Sequence, residues 1–355
     1  MANPKTTDRE RGMKRIAVIS EDLAEPWDEG IKKFAYSVGR ALGKAHHVVL
    51  FNVDRSGVAG AAAHRIPSSR TFAHPMLRRA LRALSPDMVL YVPSPSSTLA
   101  SFVRAYALRR HVPRAAHGMV ALIPRSHPAL LKPILHGTAP DVVFVPSYAS
   151  LLRLHKLSLR SEILPAGVDT SVFHAPTREE RSSLRANHGF KENAYIYLHV
   201  GHLSPKRNLG CLASLRTGPD VEVVIVGSTS TQADLVVQKK LEEAGVRVVR
   251  KLVPVEQYYR LADCYVFPVR DHEGCVEIPL SVFEALASGL PVVTTPFGGL
   301  RDFLQPGADV RYCETDEELL AEAATLREGP PPEIRSMEGF AWSRVADRIL
   351  DALTR

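Results

Sequence analysis

Apolar runs recur along the chain, separated by segments with helical patterning. Arg15 to Ser20, Val48 to Phe51, Met88 to Val92, Met119 to Ile123, Val142 to Val145 and the short Ser161 to Leu164 read as strands in the first half, with helices in the intervals. Ala194 to Val200, Val221 to Val226, Val246 to Val249, Cys264 to Phe267 and Pro291 to Thr294 repeat the rhythm in the second half. This alternation predicts an α/β architecture with mainly parallel sheets, and its repetition predicts two Rossmann-like domains. The rhythm breaks near Ser171 to Thr177, where Pro176 and polar residues precede a helix predicted at Arg178 to Asn187. A second break at Gly329 to Pro332 precedes a final helix predicted at Phe340 to Leu353. The expected division is a frayed polar tail over 1–13, an N-terminal domain over 14–172, a C-terminal domain over 173–338 and a terminal helix over 339–355.

The most informative stretch runs from Glu277 to Leu300 and reads EIPLSVFEALASGLPVVTTPFGGL. Pro279 suits the first position of a helix, Gly289 the left-handed residue after its last turn, and Pro291 blocks continuation. Leu280, Phe283, Leu286 and Ala287 form the apolar stripe, and Glu284 lies at the margin of the face expected to be buried. A carboxylate in that position needs a partner, which a backbone amide or an arginine would supply in a purely structural role. Glu277 stands just ahead of the helix, the amides of Leu280 and Ser281 lie at its positive end, and Gly298-Gly299 lets backbone approach closely after the next strand. Together they compose a site for a polyhydroxylated anion.

This stretch resembles the donor-binding segment of family-4 glycosyltransferases, retaining enzymes of the GT-B fold, whose pattern is Glu, seven residues, Glu-Ala, a small residue, Gly, an apolar residue, Pro-Val-Val and later Gly-Gly. The resemblance implies a GT-B fold of two Rossmann-like domains with an interdomain cleft, and a terminal helix over 339–355 that returns to the first domain. It assigns Glu284 to the ribose hydroxyls of a nucleotide and places Glu277 near the transferred sugar. Only six residues separate Glu277 from Glu284, Val276 holds the usual position, and Glu273 is the other candidate for the sugar contact. Leu164 to Phe173 resembles the family's segment leading out of the first domain, with Gly167 at a turn and Asp169 capping or bracing it.

After the first strand of the second domain comes Val200-Gly-His-Leu-Ser-Pro-Lys-Arg-Asn-Leu-Gly210. A strand, the Gly201 turn and a helix start carrying cations form the right geometry to hold a diphosphate leaving group. Arg207 aligns with the family's usual Lys, Lys206 adds a cation, and His202 replaces the usual Arg with a group neutral near pH 7 unless shifted. The resemblance places Leu252 and Val253 near the seat of the base, as wall or core residues, and Tyr258 and Tyr259 are expected to be packing residues. In the first domain the resemblance implies an acceptor site, a glycine-rich loop and a histidine near the sugar. The loop from Glu21 to Lys32 keeps only Gly30, and Trp27 is expected either to stack on an acceptor or to be buried against the sheet. His117 and His127 bracket the fourth strand, with His127 the candidate at the reaction centre and Arg125 beside it for phosphate or acceptor.

The reaction implied is retaining transfer from a nucleotide-diphosphate sugar to a hydroxyl of a glycan, lipid-linked or small-molecule acceptor. The diphosphate oxygen takes the acceptor's proton, so neither a protein nucleophile nor a cofactor is expected, and the absence of an Asp-x-Asp motif predicts that no metal is needed. Two alternatives stay open: a catalytically silent GT-B partner protein, and a nucleotide-sugar epimerase of GT-B shape. No G-x-G-x-x-G follows the first strand, which argues against a nicotinamide dehydrogenase.

Composition adds a charge asymmetry. Met1 to Ala175 holds 24 Lys and Arg against 12 Asp and Glu, a net of +12, and the remainder 21 against 26, a net of −5, which returns the overall +7. A basic first domain suits an anionic partner, and the stretches Leu77 to Arg82 and Arg104 to Arg114 set cations among apolar residues on helix-like segments, as for an anionic membrane surface. No nucleic-acid module or aromatic stacking array accompanies the charge, so nucleic acid is not expected. The four cysteines show no C-x-x-C pairing and no run is long enough to span a bilayer, which predicts a cytoplasmic protein, peripheral at the membrane face if bound there.

Overall fold

The structure, a computed structural model, describes residues 12–54, 63–67, 70–123, 125–230, 234–272 and 275–355, so most of the expected tail and the candidate Glu273 lie outside the described residues. The chain divides into two units, the first comprising Met1–Trp27, Ile31–Leu164 and Trp342–Arg355, the second Asp28–Gly30 and Pro165–Ala341. The division falls between Leu164 and Pro165, ahead of the expected 172/173 boundary. The reason is local: Val168 bridges to Ala341 and the Phe173 ring meets Tyr259 edge-on at 5.6 Å, so these residues pack within the second unit.

The first unit is built on a seven-stranded sheet of β1 (Arg15–Ser20), β2 (His47–Asp54), β3 (His64–Pro67), β4 (Met88–Tyr91), β5 (Ala116–Val120), β6 (Val142–Val145) and β7 (Ser161–Ile163), in the order β3-β2-β1-β4-β5-β6-β7. Every pairing is parallel. β5 begins three residues before the predicted Met119 and takes in Gly118, where a side chain would press on Phe144 and Leu353. Helices Pro75–Leu84, Leu99–His111, Lys132–Thr138 and Tyr148–Lys156 bury residues such as Leu81, Phe102, Leu135 and Leu154 in one core with Ile19, Tyr91 and Val143 of the sheet. On the alternate strand positions, Gly39 of helix Gly30–Leu42 packs directly on Leu50, and Leu353 of helix Trp342–Thr354 lies over Gly118. The two helices also meet through Phe34 and Trp342, edge-on at 5.4 Å.

The second unit carries β8 (Tyr195–Gly201), β9 (Val221–Gly227), β10 (Arg247–Val249), β11 (Cys264–Phe267), β12 (Val292–Thr294) and β13 (Val310–Tyr312) in the order β10-β9-β8-β11-β12-β13, again all parallel. In each sheet the order reverses once, at β1/β4 in the first and β8/β11 in the second. Such a reversal opens a crevice outside the carboxyl ends of the two strands, which is where ligands of open α/β sheets bind.

Candidate functional site

Most of the predicted donor residues lie on the turn after β8 and on helix Leu280–Ala287 after β11, the two strands that flank the second crevice. β8 ends at Gly201, which pairs in register with Gly227 at the end of β9. The chain then turns through Ser204, whose hydroxyl accepts from the Lys206 amide at 3.4 Å, into the short 3-10 turn Pro205–Arg207. Asn208 follows with φ 53° and anchors the turn by donating to both carboxylate oxygens of Asp316, at 2.9 and 3.1 Å. The two cations of the turn diverge: Lys206 is exposed, while Arg207 is buried with its Nη1 3.3 Å from the Cys275 Sγ.

Burial, with Arg207 as a lesser contributor, sets the protonation of the histidines around this turn. Burial lowers the His202 pKa to about 4, helped by the guanidinium and opposed by Asp28, so His202 is neutral at pH 7. His199, which sequence reasoning did not single out, is fully buried in β8, and burial with the same guanidinium lowers its pKa to about 3. Its Nδ1 meets the Val266 carbonyl at 2.9 Å and must donate there, which leaves Nε2 as an acceptor with no hydrogen-bond partner among the described residues. A lone polar residue inside the apolar run of β8 was the available signal.

Helix Leu280–Ala287 supplies the carboxylate. Pro279 precedes the helix with ψ 120°, one position earlier than predicted, because its extended backbone is not helical. The far end closes as predicted: Gly289 adopts φ 78°, its amide bonds the Leu286 carbonyl, and the Leu290 amide reaches Ala285, both at 3.0 Å. Glu284 is buried and accepts a hydrogen bond from the Tyr259 hydroxyl at 3.1 Å. Tyr259, predicted only to pack, therefore also fixes the carboxylate. Tyr265 links the two charged groups. Its hydroxyl donates to the Val200 carbonyl at 3.3 Å, is hydrogen-bonded by Ser281, and feels both Glu284 and Arg207.

Glu277 is buried as well, and Gly298 explains how it is held. With φ 55°, Gly298 lies so close that any side chain there would run into the Glu277 carbonyl oxygen, which accepts from the Gly299 amide at 3.1 Å. Leu280 is buried and Ser281 half-buried at the helix start, whereas Leu252 is 71% exposed and Val253 half-buried.

A second set of donors follows β9. The Asp28 carboxylate, in the segment grouped with this unit, accepts from the Thr229 amide at 2.5 Å, the Thr229 hydroxyl at 2.7 Å, the Ser230 amide at 3.2 Å and the Ser230 hydroxyl. Burial alone would raise the Asp28 pKa, but the hydrogen bonds from Ser230 and Thr229 outweigh it and hold the group below its ordinary value. A depressed folded-state pKa adds stability above the unfolded carboxylate range, about pH 4, that is lost as pH falls through the folded value. Asp28→Ala should cost about 1 kcal/mol, lowering Tm at pH 7 by about 2–4 °C, and the deficit should shrink in melts below about pH 4. A deficit unchanged with pH would count against the charged role.

In the first unit the crevice between β1 and β4 holds Glu21, which accepts from the Tyr91 hydroxyl, the Ser94 amide at 3.0 Å and Arg104 Nη1 at 2.7 Å. None of these was a predicted site residue, since 83 positions separate Glu21 from Arg104 and only the fold joins them. His117 lies at the entry end of β5, buried, with Nε2 on the Val112 carbonyl at 3.1 Å, far along the strand from its carboxyl end. His127 follows the carboxyl end, edge-on to Phe102 at 5.8 Å, and its Nε2 is buried with no hydrogen-bond partner among the described residues. Arg125 is exposed. Trp27 stacks on Tyr36 at 4.0 Å, and a side chain at Gly30 would press on Val276 at 3.3 Å.

Two doubly wound parallel sheets in one chain are the GT-B class of fold. The chain superposes on Anabaena HepE, solved in complex with UDP and glucose, with a TM-score of 0.73 and 15% identity over 96% of this chain and 99% of that one. Residues 197–326, which span the β8 turn and helix Leu280–Ala287, match the family model described as glycosyl transferases group 1, so over this segment the chain is similar to that family. It is similar to the GDP-mannose-dependent alpha-mannosyltransferase of Mycobacterium tuberculosis, 28% identical over 95% of both chains. It is also 28% identical to the D-inositol 3-phosphate glycosyltransferase of Paenarthrobacter aurescens over 62% of this chain and 58% of that one, so it spans little more than half of that relative's length.

Proposed function

We propose that the chain is a retaining, metal-independent glycosyltransferase that moves a sugar from a nucleotide-diphosphate donor to an acceptor hydroxyl. The observation that carries this reading is the pairing of a buried cation, Arg207, with a buried carboxylate, Glu284, around Tyr265 at the β8/β11 crevice. Buried charges of opposite sign on separate supports suit a ligand with an anionic part and a hydroxylated part. Glu284 receives the ribose hydroxyls and Glu277 the transferred sugar. Arg207, Lys206, the Gly201 turn and the amides of Leu280 and Ser281 receive the diphosphate, with neutral His202 as a hydrogen-bonding group only. Breaking the anomeric bond puts negative charge on the departing phosphate, and a fixed guanidinium stabilises it without a metal ion. The acceptor hydroxyl attacks the face the nucleotide leaves, and its proton passes to the diphosphate oxygen. The first unit binds the acceptor, with His127 and Arg125 as its candidate contacts.

The test incubates the full chain with GDP-mannose, UDP-glucose and ADP-glucose, with and without EDTA, and with D-inositol 3-phosphate or mannosyl oligosaccharides as trial acceptors. GDP-mannose and UDP enter because relatives and structural neighbours carry those names. One nucleotide class should be released at the same rate in EDTA, and proton NMR should show the donor's anomeric configuration kept in the product. An inverted product, or loss of transfer in EDTA, would refute the corresponding part. Donor interconversion without acceptor would mark an epimerase.

A further inference from the structure

We propose that the four-helix face of the first unit is a docking surface for an anionic lipid bilayer, which it enters through two exposed apolar pairs. This inference rests on that unit alone and does not depend on the donor-site reading. The helices Pro75–Leu84, Leu99–His111, Lys132–Thr138 and Tyr148–Lys156 cover one side of the sheet. Their sequences PMLRRALRAL, LASFVRAYALRRH, KPILHGT and YASLLRLHK hold nine Lys or Arg and no Asp or Glu, and eight of the nine remain for this face once Arg104, paired with Glu21 in the crevice, is set aside. Arg78 and Arg82 of the first helix lie close enough to act on His111 at the end of the second, and Arg109 of the second donates to the Ala139 carbonyl just past the third. The cations of the first three helices therefore adjoin one another, and Arg153 and Lys156 add two more on the fourth.

Apolar residues stand out among these cations at helical spacing. Leu130 and Ile134, four residues apart, are 78% and 49% exposed, and Tyr148 and Leu152, also four apart, are 57% and 59% exposed. Tyr148 and Leu152 share one helix and one face of it, forming a short outward ridge where a soluble helix normally carries charge, while Leu130, in the 3-10 turn Ala129–Leu131, and Ile134, in the helix after it, form a second exposed apolar pair. Lys132 lies between the first pair in sequence, and Arg153 and Lys156 follow the second. Cations around protruding apolar side chains match a headgroup layer over acyl chains: the former meet phosphates, and the latter enter the boundary below. A nucleic acid would use the cations but not the aliphatic Leu130, Ile134 and Leu152. A second copy is disfavoured, because two such faces would bring together cations with no carboxylate to balance them. Among the described residues no helix is long and apolar enough to cross a membrane, so the contact is with the surface.

The test is co-sedimentation of the full chain with phosphatidylcholine vesicles, with and without about 30% phosphatidylglycerol, the ionic strength being set low enough that charges on this scale act at about 10 Å. Binding should be at least about tenfold stronger with the anionic lipid. Leu130→Glu with Ile134→Glu should lower that binding about tenfold while leaving Tm unchanged, since both side chains are exposed. A Leu130→Trp variant should show added blue-shifted emission on anionic vesicles. Failure to bind anionic vesicles would overturn the proposal. So would wild-type binding by the double Glu variant together with an unshifted Trp emission, which would leave adsorption by charge alone.

Discussion

Arg207→Ala should lower kcat/KM for sugar transfer by about two to three orders of magnitude, the range found when a preorganised electrostatic group aimed at developing charge is removed. The loss should fall mainly on kcat, because the negative charge on the diphosphate grows as the anomeric bond breaks and a guanidinium held for that moment acts most in the transition state. Its position supports so large an effect. Arg207 is buried, its turn is pinned by Asn208 on Asp316, and its charge depresses both His199 and His202. The exposed Lys206 provides the contrast: solvent screens it, so Lys206→Ala should cost less than about tenfold. Loss of the Arg207–Cys275 contact could also loosen the fold, so melting must be measured beside kinetics. A folded Arg207→Ala enzyme with wild-type kcat would sink the assignment. The pH profile gives a second check: without the guanidinium His202 should titrate above its value of about 4, although burial still holds it down.

The fold was legible wherever strands are buried on both faces, because a parallel sheet covered by helices turns its strands into plain apolar runs. β1, β6 and β11 carry the predicted bounds. The strands that escaped notice are the edge strands β3 and β13: His64–Pro67 has one buried residue in four, and Val310–Tyr312 is three residues long. Site residues followed a similar logic. Glu284 could be named as a candidate because a bounded helix showed which positions face inward, and Arg207 because a glycine turn after a strand suits an anion. Tyr259, Tyr265 and His199 could not, since a buried aromatic or histidine in an apolar segment reads as packing until its polar atom is given a neighbour. The Glu21–Arg104 pair and the Asp28 contacts with Thr229 and Ser230 join residues distant in sequence, and no local pattern encodes them.

Glu284→Ala should abolish most of the stabilisation that the correct nucleotide gives. Each hydrogen bond to a charged group is worth about 1.5–3 kcal/mol, so losing two ribose hydroxyl contacts should weaken donor binding by about a hundredfold or more. In a thermal-shift panel of UDP-, GDP- and ADP-sugars, a nucleotide at a hundred times its Kd adds about 2.7 kcal/mol to the wild type, while a hundredfold weaker variant gains only about 0.4 kcal/mol. The substitution also leaves the buried Tyr259 hydroxyl without its acceptor, which should cost about 1–3 kcal/mol before any ligand is added. Tyr259→Phe separates the two effects, because it removes the hydroxyl and keeps both the ring and the carboxylate. If Tyr259 only orients Glu284, the Phe variant should raise KM by about tenfold or less with little change in kcat, and should keep most of the nucleotide shift. Equal nucleotide shifts in wild type and Glu284→Ala would mean that the carboxylate is held by Tyr259 for the fold alone, and that the ribose is bound elsewhere.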